Sequence, residues 1–159
     1  MAEVLVEKTV GAYEVTFWVI TNKAGVNGLC AEGLEQAVGG ASLVDLGLLS
    51  VAKWETIVEG YDAGAARIFD GAWRTCAFCR RFSDEEEYPS CLGCPIGAYT
   101  EQPQCWGTPY WDYRRELAEP DATPEALKAA AQEELEFVKE VVAWVIESNY
   151  KEPSDEIPF

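Results

Sequence analysis

Two pairs of cysteines near the middle of the chain constrain its fold more than any other feature. The first pair is Cys76-Ala-Phe-Cys79 and the second is Cys91-Leu-Gly-Cys94, with eleven residues between the pairs. Zinc takes four ligands in a tetrahedron, and a two-residue spacing lets one turn aim both thiolates of a pair at the ion. Two such pairs are typical of a structural zinc site. We therefore predict a closed, four-thiolate zinc site formed by Cys76, Cys79, Cys91 and Cys94.

Three other uses of these cysteines are weaker interpretations. Disulfides need an oxidising compartment, and the first residues lack the basic start and apolar run of a secretion signal. An iron–sulfur cluster also binds four thiolates, but the closely spaced cysteine run of ferredoxins is missing. Redox Cys-x-x-Cys motifs normally occur singly beside a βαβ unit. Zinc is therefore the expected cofactor, ahead of an iron–sulfur cluster, and the cytoplasm is the expected location.

A fifth cysteine and the absence of histidine limit the chemistry further. Cys105 lies eleven positions after Cys94, and it either replaces one of the four ligands or is a neighbouring thiol outside the site. The chain contains no histidine, so a site of three cysteines and one histidine is excluded and the commonest general base is missing. Four thiolates leave no open position on the metal. We therefore expect a structural site and no enzymatic activity. An enzyme that uses Cys105 as its nucleophile is the weakest of the functional hypotheses, because its sequence neighbours provide no base.

A longer pattern surrounds the cysteines. Cys-x-x-Cys is followed by Cys-x-x-Cys-Pro and then by Cys-x-Gly-Thr-Pro-Tyr, which ends at Tyr110, with Ser-Val-Ala-Lys-Trp-Glu upstream at residues 50–55 and an Ala/Glu-rich helix downstream. This pattern resembles a group of small uncharacterised bacteriophage proteins. The likeness covers about residues 50–146, and residues 91–110 are its most specific part. It implies a phage-encoded protein and transfers no catalytic role.

The start of the chain alternates between apolar and polar side chains, which predicts a β-hairpin. A two-residue turn, Gly11-Ala12, is expected to join the strands, so that Val6 faces Phe17. The same register pairs Val10 with Tyr13 and Val4 with Val19. Trp18 and Ile20 point to the opposite face.

Helical periodicity dominates the rest of the chain. A short helix is expected at 28–38 and a longer one at 46–69. Cys30 would be a small apolar residue of the short helix. Thr123 and Pro124 begin a C-terminal helix that runs to 149. Its buried seam comprises Leu127, Ala131, Leu135, Val138, Val142 and Val145.

These elements predict an α+β fold. It combines an N-terminal β-hairpin, an antiparallel helix pair and a small four-cysteine zinc knuckle between the helices. The chain is one domain's worth of sequence at 159 residues. The predicted organisation is a single domain over 1–159, with the hairpin at 1–21, helices at 28–69, the zinc-binding module at 73–113, the C-terminal helix at 123–149 and a tail at 150–159.

Charge indicates the class of partner. The net charge of −16 disfavours nucleic acid and anionic lipid, and no apolar run approaches the length of a membrane span. We therefore expect a non-enzymatic, phage-type accessory protein that binds a basic surface of a host protein, one that otherwise holds nucleic acid. Such a surface would be complementary to the excess acidic charge.

A local cluster of cations supports an alternative. All six arginines lie between Arg67 and Arg115, where they are interleaved with aromatic residues. That mixture suits phosphate pairing and base stacking, which would make the segment a nucleic-acid-binding zinc module. Pairing of the same arginines with local acids, including Asp112, is the more ordinary explanation. The candidate binding residues are Arg74, Arg80, Arg81, Arg114, Arg115, Trp106 and Trp111.

Overall fold

The chain begins with a β-sheet. The computed structural model describes residues 3–82, 93–102 and 105–151. Across the sheet the strands are β1 (Glu3–Val10), β2 (Val15–Thr21), β3 (Asn27–Glu32) and β4 (Ile68–Phe69). Strand β2 is antiparallel to both β1 and β3, and β4 lies parallel to β3 at the edge. The predicted antiparallel strands are confirmed, although they belong to a larger sheet.

The turn between β1 and β2 is longer than predicted. It spans residues 11–14, and Glu14 has a left-handed backbone with φ of 54°. Val10 consequently pairs with Val15 instead of Tyr13, and Val6 pairs with Val19 instead of Phe17. A register shift between Val4 and Val6 then places Val4 opposite Ile20 instead of Val19. Because the longer turn moves the register by two residues, the inward face is unchanged from Val6 to Val19, and the buried residues of β2 are Val15, Phe17 and Val19. The sequence predicts that Val4 shares this face, but beyond the register shift it is 54% exposed.

The predicted helix from residue 28 is wrong at its start. Residues 27–32 form β3, which pairs along the whole of β2, and Cys30 is half-buried in this strand. The Asn27 side chain accepts the N–H groups of Ala66 and Arg67 and ties β3 to the later segment that forms β4. Helical propensity is overridden here because β2 would otherwise present unpaired backbone groups. The helix α1 is short, at Leu34–Val38.

Two long helices pack against each other, and the first of them also packs on the sheet. The first, α2, spans Leu43–Asp62 and ends earlier than the predicted residue 69, because the chain turns at Gly64 (φ 104°) towards β4. The second, α6, spans Pro124–Ser148, as predicted, and its N-terminus is capped by the Thr123 hydroxyl. An ion pair between Asp62 and Lys128 joins the end of α2 to the start of α6, so the two helices are antiparallel. Every residue of the predicted seam of α6 is buried.

The segment between these helices consists of short elements. A 3₁₀-helix at Ala72–Thr75 is followed by α3 (Ala77–Phe82), α4 (Pro95–Thr100) and α5 (Pro109–Ala118). Residues 80–82, which begin the eleven-residue segment between the two cysteine pairs, belong to α3. Cys91 and the rest of that segment lie outside the described residues, as does most of the predicted tail. None of the helices within the described ranges is long and apolar enough to cross a membrane.

Candidate functional site: a thiol-lined cavity on the helix pair

Near the middle of α2 and α6, polar side chains of the two helices line the same cavity. Ser50 lies one turn before Lys53 and Trp54 on α2, so it is close to both on the helix surface. Glu134 lies one turn before Val138 on α6. All five side chains line one cavity of about 260 Å³. The polar residues among them, Ser50, Lys53 and Glu134, therefore form what we call the floor of this cavity, inside an otherwise apolar contact between the two helices.

The short elements between the helices supply the walls of this cavity. Aromatic rings predominate, and Trp54 makes edge-on contacts with Tyr110 and Tyr113, with ring centroids 6.1 and 5.3 Å apart. The cavity therefore combines a polar floor with flat, mostly apolar walls. The remaining lining residues are Ala72, Trp73, Cys76, Cys79, Ile96, Cys105, Thr108, Tyr110, Trp111 and Arg114.

Lys53 is paired with Asp70 in the interior. The Lys53 side chain is 2% exposed and that of Asp70 is 1% exposed, and Lys53 Nζ lies 3.2 Å from Asp70 Oδ2. The same carboxylate oxygen accepts the N–H of Ala72, and Arg114 Nη1 lies 3.7 Å from Oδ1. A buried charge is tolerated when it is paired and hydrogen-bonded. This pair consequently anchors the start of the cysteine segment to α2.

Glu134 and Ser50 differ from Lys53 in that each has a buried oxygen without a hydrogen-bond partner in the described part of the chain. Both are buried, at 2% and 4% exposure, and neither Glu134 Oε2 nor Ser50 Oγ has a hydrogen-bond partner among the described residues. Burial raises the pKa of Glu134 to about 8, opposed by Lys53 and assisted by Cys76, Asp70 and Asp112. An unsatisfied buried polar group costs about 1–3 kcal/mol. Two of them in one cavity wall require an explanation.

The first cysteine pair also faces this cavity. Cys76 and Cys79 flank the first turn of α3, and the backbone N–H of Cys79 donates to Cys76 Sγ at 3.4 Å. A hydrogen bond from the Cys79 side chain is the largest cause that lowers the pKa of Cys76 to about 6, and the nearby Lys53 ammonium lowers it further. Lower pKa values favour the thiolate, the form that binds metals. The pair is therefore chemically suited to ligation.

The other cysteines occupy different places. Cys105 lines the same cavity in a left-handed conformation (φ 62°), and Cys94 is buried at the N-cap of α4. No disulfide joins any cysteine in the described parts of the chain. Within those parts, no three or more Cys, Asp or Glu side chains converge closely enough to hold a metal ion. Cys91, one of the four predicted ligands, lies outside them.

Arg74 and Arg80 converge on one exposed tryptophan. Trp73 is 41% exposed, and the two guanidinium groups lie 5.3 and 5.7 Å from its ring centre. Arg80 also pairs with Glu35 at 3.3 Å. Arg81 donates to the carbonyl of Gly39 at 3.1 Å. Arg74 and Arg80 therefore lie beside Trp73, which lines the cavity, while Arg80 and Arg81 also contact α1 or the residue after it.

The remaining predicted binding residues lie on or near α5. Arg114 lines the cavity and donates to the Tyr110 hydroxyl at 3.3 Å, whereas Arg115 forms an ion pair with Asp112. For Arg115, pairing with a local acid is therefore the explanation that the contacts favour. Trp111, also in the cavity wall, is 37% exposed, and Trp106 is 54% exposed.

Sequence reasoning missed the polar floor. Lys53 and Glu134 each interrupt an apolar helix face, Lys53 between Leu49 and Ile57 and Glu134 between Ala131 and Val138. A charged residue at a core-facing position is a recognisable signal, because such positions are apolar unless a special role retains the charge. The pairing of Lys53 with Asp70 could not be predicted, because Asp70 and most of the residues that line the cavity lie in other elements of the chain.

Comparisons with protein-family models, with curated proteins and with solved structures found no match to this chain.

Proposed function

We propose that this chain is a non-enzymatic, zinc-stabilised, acidic accessory protein of phage type that binds a basic surface on a host protein. The observation that carries the zinc part is the arrangement of Cys76 and Cys79. Both line a common cavity within one turn of each other, and the Cys76 thiol accepts the backbone N–H of Cys79 and lies in the field of Lys53. Amide hydrogen bonds to sulfur and a nearby cation are typical surroundings of metal-bound thiolates.

The proposed ligands are Cys76 and Cys79 with Cys91 and Cys94, as the spacing predicts. Cys105 is an alternative to one of the second pair, because it lines the same cavity as the first pair. Zinc would join the segment around α3 to the segment around α4 or α5. Such a site stabilises the fold directly, because the unfolded chain does not preform it.

Zinc content and metal-dependent stability test this part. The purified protein should contain about one zinc per chain, and Cys79→Ser should lose the zinc and lower the unfolding temperature. Cys30→Ser is the matched control, because Cys30 lies in β3 and does not line the cavity. A protein that contains no zinc and keeps its unfolding temperature in strong chelator contradicts the proposal. Separate Cys91→Ser, Cys94→Ser and Cys105→Ser variants would identify the remaining ligands.

The distribution of acids supports a basic partner. Among the described residues, Asp70 and Glu134 are the buried acids, so the other carboxylates contribute to the surface charge. The exposed side of α6 illustrates this, because Lys139 is paired with Glu136 while several further glutamates repeat at helical spacing. The exposed glutamates of this stripe are Glu133, Glu136, Glu140 and Glu147.

Competition tests the partner class. Immobilised protein should retain a host protein that is released by short duplex DNA, because both would occupy the same basic surface. Changing the four stripe glutamates to glutamine should reduce retention about tenfold at low salt. Retention that is unaffected by DNA and by these substitutions contradicts a charge-complementary partner.

A groove with two arginines favours the alternative function, a nucleic-acid-binding zinc module. Arg74 and Arg114 line a second cavity of about 320 Å³ together with Phe69, which is 47% exposed. Exposed aromatic rings beside guanidinium groups suit single-stranded nucleic acid. Steeply salt-dependent binding of single-stranded DNA, lost when Arg74, Arg80, Arg81, Arg114 and Arg115 are changed to alanine, would favour this function over the acidic one.

A further inference from the structure

The cavity on the α2–α6 pair has the composition of a ligand site. Its volume of about 260 Å³ is slightly below that of pockets for drug-sized molecules, which are roughly 300–1,000 Å³. It is lined mainly by apolar and aromatic groups, and a few polar groups lie together on one side. That combination of apolar walls and converging polar groups is characteristic of small-molecule sites. A molecule of one or two fused rings matches its size.

The polar groups on the floor define which atoms a ligand must offer. Lys53 is paired with Asp70, and Arg114, the other cation that lines the cavity, lies 3.7 Å from the same carboxylate, so neither cation lacks a nearby acid. Glu134 Oε2 and Ser50 Oγ are buried and have no hydrogen-bond partner among the described residues. The buried carboxyl, whose raised pKa favours the neutral acid, both donates and accepts hydrogen bonds, and the serine hydroxyl does either. A ligand that satisfies both carries an N–H group beside a second polar atom.

The walls define the shape of the ligand. Trp54, Trp73, Tyr110 and Trp111 all line the cavity, and the Tyr110 and Trp111 rings meet at 69° with their centres 5.9 Å apart. Aromatic walls favour a flat ring, because stacked and edge-on ring contacts are both attractive. Trp73 and Trp111 are partly exposed, so the cavity is reached from the surface on this side.

We infer that the cavity binds a flat, uncharged nitrogen heterocycle of nucleobase size, whose polar edge meets Glu134 and Ser50 and whose faces contact the tryptophans. The base belongs either to a free nucleoside or to an exposed nucleotide of a strand, because the same ring chemistry occurs in both. The inference does not require zinc. An ion held about 2.3 Å from each sulfur would lie beside the thiols, whereas the ring is held by a carboxyl and a hydroxyl.

Binding of defined probes tests this inference. Adenosine, guanosine, cytidine and uridine would be titrated separately into the full-length protein and followed by calorimetry and by saturation-transfer NMR. At least one should bind with a dissociation constant of roughly 1 µM to 1 mM. The ring 1-methylindole, which has a similar size and no N–H group, should bind at least about tenfold more weakly. Trinucleotides of the preferred base distinguish the free nucleoside from a strand.

Variants of the floor identify the site. Glu134→Leu and Ser50→Ala should each weaken the preferred nucleoside about tenfold or more, because each removes a buried hydrogen bond to the ligand. Glu133→Gln is the matched control for Glu134, since Glu133 is its exposed neighbour on α6. Far-ultraviolet circular dichroism would verify that the variants are folded, and Glu134→Gln provides a second variant of unchanged shape.

Three outcomes would overturn the inference. One is that no nucleoside binds to a folded, wild-type protein. Another is that 1-methylindole binds as tightly as the nucleosides, which would mean that the polar floor plays no part. The third is that Glu134→Leu and Glu133→Gln have the same affinity as wild type. Zinc content is measured on the same samples, so a failure of the proposed zinc site is distinguishable from a failure of ring binding.

Discussion

The contact between α2 and α6 is closely packed near one end and contains polar side chains and a cavity in its middle. Near the end, Gly47 allows the helices to approach so closely that a side-chain carbon at that position would overlap Cγ2 of Val142. In the middle, Ser50, Lys53 and Glu134 replace apolar contacts and a cavity opens. The end has the close packing expected of a protein interior. The middle lacks this packing, so its polar side chains are held by charge pairing, as in Lys53 and Asp70, or remain unsatisfied, as in Ser50 and Glu134.

Removing the buried cation should have the largest effect on this comparison. Lys53→Met leaves the buried Asp70 carboxylate with only the more distant and partly exposed Arg114 as a cation, and we expect the free energy of unfolding to fall by about 3–5 kcal/mol. Denaturant unfolding would measure the change. Lys139→Met is the control, because the Lys139–Glu136 pair is exposed and should cost no more than about 1 kcal/mol. The double variant Lys53→Met/Asp70→Asn should recover much of the loss, and an undiminished loss would count against the charge explanation.

Glu134 should make stability depend on pH. Its pKa is raised from 4.5 to about 8 in the folded protein, so the folded state binds the proton more tightly than the unfolded state. Stability due to this group is therefore present at low pH and is lost as pH rises from about 4.5 to about 8. The loss is about 1.4 kcal/mol for each unit of pKa difference.

Comparison of variants isolates this dependence from the general charge of the protein. Glu134→Gln should remove this part of the decline between about pH 5 and about pH 9, and Glu133→Gln should retain it. Unfolding free energies measured across that range would decide between them. Identical pH profiles for the two variants would show that the buried carboxyl titrates normally.

A closed set of hydrogen bonds beside the cavity should have an intermediate effect. The N–H of Ile68 donates to the Tyr61 hydroxyl, the two tyrosine hydroxyls lie 2.7 Å apart, and Tyr113 donates to the carbonyl of Ile68. Tyr113→Phe keeps the ring and removes one member, so we expect a loss of about 1–2 kcal/mol by denaturant unfolding. Burial raises the pKa of Tyr113 well above its usual value. A loss below about 0.5 kcal/mol would show that Tyr61 finds another partner.

The smallest effect is expected where a hydroxyl already lacks a partner. Ser50→Ala removes an unsatisfied buried oxygen, so the free energy of unfolding should change by less than about 0.5 kcal/mol or increase. Thermal unfolding alongside Tyr113→Phe would show the contrast between an unpaired and a paired hydroxyl. A loss comparable to that of Tyr113→Phe would mean that Ser50 is hydrogen-bonded in solution.

The sequence predicted the parts of this fold that depend on local pattern. The seam of α6 repeats at helical spacing and carries its own capping residue, Thr123, so both its extent and its buried face were predictable. The inward face of β2 was predictable because its buried residues alternate along the strand. Strand β3 was not, because its structure depends on pairing with β2 and on the contact between Asn27 and residues 66 and 67.

The candidate site was predictable only in part. Spacing identified Cys76 and Cys79 as a pair, and the structure places both at one cavity with Cys105. The floor depends on Ser50 and Glu134, which lie more than eighty residues apart on different helices. No local pattern brings such residues together. Their convergence follows from the antiparallel packing of α2 on α6.

Arg67 has a consequence for the loop that leads into α6. Its guanidinium group donates to the carbonyls of Leu117, Glu119 and Pro120, at 3.0, 2.7 and 3.3 Å. Although this loop is at the surface, one side chain from the sheet edge holds it at three points. A protease must bind its substrate as an extended strand, so cleavage here would first require that grip to open. The loop is consequently a poor place to cut the chain or to join new ends.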